Sequence, residues 1–154
     1  MTRTIARRWP LIAAFLLMSG SALGHHGDAG RYEATLTTVT GTVVQMQLVN
    51  PHSMLILDVK DEGGKIVRWR GELGSPAQLK TLGWVSGAIK IGDVVTMRGR
   101  RLKNGSPFLT LSECARVIDA SGKELFRGND PGRPGTEQGS TPKGGVDPCA
   151  GPIK

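Results

Sequence analysis

The stretch Ala34 to Val49 (ATLTTVTGTVVQMQLV) constrains the fold more than any other part of the chain. It is crowded with threonine and valine, whose branched side chains favour extended backbone. One glycine, Gly41, interrupts it. A glycine inside a strand marks a bend or a bulge, as expected where a strand curls into a barrel. Asn50-Pro51 ends this strand, and Ser53 to Lys60 (SMLILDVK) forms a second. Asp61-Glu62-Gly63-Gly64 reads as a hairpin turn returning into Lys65 to Leu73 (KIVRWRGEL). On that third strand Val67, Trp69 and Leu73 share one face, while Arg68, Arg70 and Glu72 share the other.

The pattern then changes. Ser75-Pro76 is an N-cap followed by proline at the first helical position, so Ala77 to Leu82 is expected as a short helix stopped by Gly83. Gly92-Asp93 turns into a fourth strand, Val94 to Arg100, and Lys103-Asn104-Gly105 turns again. Phe108 to Ile118 is expected as one fifth strand, and a turn at residues 120–123 leads to Glu124-Leu125-Phe126. Three strands, a short helix and two strands predict an all-β fold, an OB-like small Greek-key β-barrel with one short helix. A small sandwich is the alternative.

The flanks differ in kind from this body. Arg3, Arg7 and Arg8 precede the uncharged apolar run Leu11 to Met18, and small residues Ser19 to Gly24 follow. That order predicts a cleaved Sec-type signal peptide over residues 1–24 and a periplasmic or secreted protein. The apolar run is far short of the ~20 residues of a membrane span. Cleavage after Gly24 leaves His25 as the amino terminus, whereas cleavage after Ala22 leaves Leu23-Gly24-His25. Residues 25–33 then form a His-bearing arm, and 34–127 the barrel domain. Residues 128–154 hold seven Gly and five Pro without apolar periodicity, which predicts a disordered tail.

Charge and cysteine usage narrow the function classes. The chain has 20 Lys+Arg against 13 Asp+Glu, and removing the three leader arginines leaves 17 against 13. This mild, dispersed excess lacks the clustered footprint of a nucleic-acid binder. Beyond the leader only Trp69, Trp84, Tyr32, Phe108 and Phe126 are aromatic, a poor supply of stacking groups. Cys114 and Cys149 are disulfide candidates in an oxidising compartment. A staple on the tail, a redox pair and an intermolecular bond all stay open, although the redox pair lacks the C-x-x-C spacing.

Taken together, several motifs resemble a small secreted bacterial family, domain of unknown function 6152. They are the leader followed by His25-His26, Gly41-Thr42-Val43, Asn50-Pro51-His52, Glu72-Leu73-Gly74-Ser75-Pro76 and Gly83-Trp84. Gly92-Asp93-Val94-Val95 and Gly105-Ser106-Pro107 complete the series. The resemblance runs from about His25 to Arg127 and implies export and a β-rich domain, with no activity attached. Members follow the histidine pair with a small residue and an aromatic, where this chain has Gly27-Asp28-Ala29-Gly30-Arg31-Tyr32.

His25, His26 and His52 are all the histidines of the chain, and each falls at the end of a segment. A free amino-terminal histidine chelates through its α-amine and ring nitrogen, and a second imidazole completes a nitrogen set suited to Cu(II). With His25 third in the mature chain, the amine, two amides and an imidazole make a square-planar Cu(II) or Ni(II) site. His52, presented after Asn50-Pro51, would join if the arm folds back over that face. Glu72 would be a fourth ligand or would orient His52 through its second nitrogen; the competing reading pairs it with Arg68, Arg70 or Arg98. Solvated or capping histidines are the plainer alternative.

No G-x-S-x-G and no H-E-x-x-H is present, and no catalytic residue is identified. The expected function is an exported, non-catalytic binding module for a protein or small ligand. The alternative is a copper-binding periplasmic protein using His25, His26 and His52.

Overall fold

The computed structural model describes residues 30–129 together with Cys149. The expected signal peptide, His25, His26 and most of the expected tail lie outside the described residues. The β-branched stretch forms β1 (Tyr32–Gln47), followed by β2 (Ser53–Lys60), β3 (Ile66–Leu73), helix α1 (Pro76–Thr81) and β4 (Val94–Leu102). The remaining strands are β5 (Phe108–Thr110), β6 (Arg116–Asp119) and β7 (Glu124–Arg127).

Strand order is β1-β2-β3-β5-β4, and β4 returns to β1, closing a five-stranded barrel. Only the β3–β5 pair is parallel. This is the OB-like arrangement, with the helix between β3 and β4. β1 can serve two partners because it is long. Tyr32 to Thr42 pairs with β4, and Thr42 to Gln47 pairs with β2.

Gly41 stands at that changeover. A β-carbon there would meet the Asp58 carbonyl oxygen at 2.5 Å and Val59 Cγ2 at 2.7 Å. The glycine therefore serves close approach of two strands, and the bulge lies just beyond it, between Val43 and Gln45. The core is the inward row of each strand: Val43, Leu55, Leu57, Val95, Met97 and Leu109 are all at most 1% exposed.

Helix α1 places Leu79, fully buried, against this core. It starts at Pro76, the expected first helical position, with the Ser75 side chain accepting from Gln78 N, and ends at Thr81 with Leu82 as its C-cap. It ends as a glycine-terminated turn in which Trp84 N donates to Leu79 O and Gly83 N to Lys80 O, with Gly83 at φ 88°. That is the Schellman pattern.

The expected fifth strand is broken in two. Thr110 faces Arg100 on β4, but Arg116 faces Arg98. Six residues of chain thus run beside two of β4, so four surplus residues leave the ladder between β5 and β6. The surplus is even, so the inward alternation survives, with Leu109, Leu111, Ala115 and Val117 all buried. Ser112-Glu113-Cys114-Ala115 has no β-branched residue, which is the local reason for the break. The barrel's described edge also passes the expected boundary at Arg127: Gly128 N donates to Ala115 O and Asn129 N to Ser112 O.

Candidate functional site

The break in the fifth strand creates a cleft. Its volume is about 180 Å³, and it opens between the end of β3, α1 and the segment joining β5 to β6. Its polar lining includes His52, just before β2, and Glu72, near the end of β3, with a second wall, Ser112 and Asn129, from the β5–β6 junction and the segment after β7. Leu82 and Phe126 supply apolar lining, and Phe126 is itself braced edge-to-face by Trp84 at 6.0 Å.

His52 and Glu72 meet because of strand register. Met54 faces Glu72 and Ser53 faces Leu73, so His52, two residues before Met54, is the diagonal neighbour of Glu72 on the same face. His52 Nδ1 lies 2.8 Å from Glu72 Oε1. The imidazole is 58% exposed and the carboxylate 27%. A carboxylate only accepts, so an imidazole oriented by Glu72 would carry its proton on Nδ1 and leave Nε2 as the ligating nitrogen. Metal-ligating histidines are commonly oriented in this way.

The pairing of Glu72 with an arginine, the competing expectation, is not what occurs. Arg68 instead makes a two-pronged contact with Asp58, Nε to Oδ1 at 2.9 Å and Nη2 to Oδ2 at 3.1 Å. The Arg68 hydrogen bond holds the Asp58 carboxyl below the usual carboxylate range, with desolvation opposing it and the Arg68 charge adding to it. Arg98 is buried and donates from Nη2 to the Cys149 carbonyl at 3.0 Å.

The far wall is held from several directions. Leu111 N donates to the Glu72 carbonyl at 2.7 Å, tying it to the near wall. Cys114 N donates to Asn129 O at 3.0 Å. Cys114 has a left-handed backbone, φ 56°, which costs an L-residue roughly 1–2 kcal/mol. It is joined to Cys149 by a disulfide with a Cα–Cα distance of 4.9 Å.

Of the expected site residues, the structure brings His52 and Glu72 together, while His25 and His26 lie outside the described residues. Among the described residues no group of three or more His, Cys, Asp or Glu side chains could hold a metal ion.

Gln78, Thr110, Ser112, Phe126 and Asn129 were not identified from sequence. They come from three separate parts of the chain, and the one available signal is the run of poor strand formers at 112–115. A buried hydroxyl, Ser53 Oγ, stands next to His52 in the chain with no hydrogen-bond partner among the described residues.

No curated protein matches the chain. A family model matches residues 14–109. The match begins within the expected leader and includes His25, His26, His52 and Glu72. It ends at Leu109 and leaves out β6, β7 and both cysteines. This chain belongs to the family of unknown function DUF6152.

Proposed function

We propose that this protein is an exported, non-catalytic binding module that takes a small polar ligand in the His52–Glu72 cleft. The observation that carries the reading is the carboxylate-held imidazole at the mouth of a half-polar recess, at an end of an OB-like barrel. Small-molecule sites combine an apolar lining with a few convergent polar groups, and Leu82 and Phe126 against Glu72, Ser112 and Asn129 fit that description. The leader sequence supports export.

The test is thermal denaturation of the processed protein against polar small molecules and divalent metal ions, with His52→Ala in parallel. A ligand raises stability by RT ln(1 + [L]/Kd), and in the variant that rise is expected to shrink at least about tenfold in apparent affinity. A binder that stabilises both proteins equally contradicts the reading.

The free Nε2 favours one second reading, a copper-binding periplasmic protein in which His25 and His26 join His52. One equivalent of Cu(II) is expected to give a nitrogen-rich spectrum that His52→Ala alters. An identical spectrum in wild type and variant contradicts the shared site.

A further inference from the structure

The far wall of the cleft is made of chain that local preference would not put there. Four surplus residues leave the β4 ladder between Thr110 and Arg116, and Cys114 sits in a conformation unfavourable for its type. Gly128 passes so close to the Ser112 carbonyl that a β-carbon would collide with it. Three backbone hydrogen bonds, from Cys114 N, Gly128 N and Asn129 N, cross this junction. Two fastenings come from a distant part of the chain: the bond from Cys149 to Cys114, and the Cys149 carbonyl taken by buried Arg98. Cys114 is 1% exposed and Cys149 6%. Ser112 and Asn129, the polar groups of this wall, flank Cys114 directly or through its hydrogen bond.

We propose that the Cys114–Cys149 bond assembles this wall, so that the cleft becomes a binding site only in the disulfide-bonded chain. The chemistry is thiol–disulfide exchange. The two thiols give up two electrons and two protons to a disulfide oxidant, which leaves as a dithiol, and the new S–S bond forms between Cys114 and Cys149. A chain still in a reducing compartment would carry the His52–Glu72 side of the cleft without its opposing side, and binding competence would arise on oxidation after export. Only this consequence for binding rests on the proposed function; the assembly of the wall stands apart from it.

The test compares the full processed chain, oxidised, with the Cys114→Ser/Cys149→Ser variant by amide hydrogen exchange. The amides at 114, 128 and 129 are expected to lose protection on the order of 100-fold in the variant, while the β1–β4 and β2–β3 ladders keep theirs. Wild type reduced with a small dithiol is expected to reproduce the result, and it carries the test if the variant does not fold. Equal protection of the three amides in both forms overturns the proposal. Loss of protection throughout the barrel overturns it as well, since the bond would then hold the fold rather than the wall. Cu(II), as a probe added to the oxidised wild type and to the Cys114→Ser/Cys149→Ser variant, which has no thiol to bind or reduce it, separates the two ideas. Binding to the oxidised form alone supports the consequence for binding, and equal binding to both forms overturns it. Failure to bind the oxidised form counts against the proposed function and leaves the exchange result standing.

Discussion

At His52 one ring nitrogen lies 2.8 Å from Glu72 Oε1, and the imidazole lines the cleft. The neighbouring residue, Ser53, is fully buried with an unmet hydroxyl. Leaving a buried hydroxyl unpaired costs about 1–3 kcal/mol, so Ser53→Ala is expected to stabilise the protein by about 1 kcal/mol in chemical denaturation. A loss of stability instead would show that the hydroxyl has a partner in solution. Gly41 carries the opposite expectation. With the Asp58 carbonyl and a Val59 methyl inside normal contact range of any added β-carbon, Gly41→Ala is expected to destabilise by about 2 kcal/mol. An unchanged denaturation midpoint would contradict the close strand approach.

Among the elements, the β6–β7 hairpin depends on one carboxylate. Asp119 Oδ1 accepts from Ser121 Oγ, Ser121 N and Lys123 N. The Ser121 hydroxyl is the largest cause holding its pKa below the usual value, and desolvation opposes it. Because the folded pKa is depressed, the stabilisation is present above the unfolded carboxylate range and is lost as pH falls through the folded value. The hairpin amides are therefore expected to lose protection below about pH 4. Asp119→Asn is expected to flatten that acid dependence, and an unaltered pH profile would contradict the assignment.

Helix α1 depends on its cap in a comparable way. Gly83 supplies the left-handed residue, and Gly83→Ala is expected to cost about 1 kcal/mol, measurable by denaturation.

The strands show what the sequence could and could not reveal. β2 matches its expected bounds because alternation and turn residues delimit it, and Ser75, Pro76 and Gly83 frame α1. The single fifth strand was wrong because a pattern of inward apolar residues, Leu109, Leu111, Ala115 and Val117, survives an even-numbered excursion. Periodicity cannot register such an insertion. The Glu72 partner was only half legible. Its face followed from alternation, but the choice between His52 and an arginine depended on strand register, which no local pattern specifies.

For the molecule as a whole, the cleft is where distant segments meet. The residue before β2 supplies the imidazole and β3 the carboxylate, the C-cap of α1 and β7 supply apolar lining, and the β5–β6 junction and the segment after β7 supply Ser112 and Asn129. The disulfide closes a chain separation of 35 residues; because it fastens the β5–β6 junction rather than the ladders, its removal is expected to leave the global denaturation midpoint within about 0.5 kcal/mol of wild type. A larger shift with unchanged slope would show that the bond holds the whole fold.

The central claim, that this cleft is where the protein binds, is tested most directly by amide chemical-shift mapping of the processed, oxidised protein. The probes are polar small molecules and Cu(II), with diamagnetic Zn(II) as a control. The expected result is that a saturating binder perturbs the amides of Glu72, Gly74, Ser112, Gly128 and Asn129 together, and that His52→Ala removes the effect. A binder that saturates while leaving all of those amides unmoved would contradict the account.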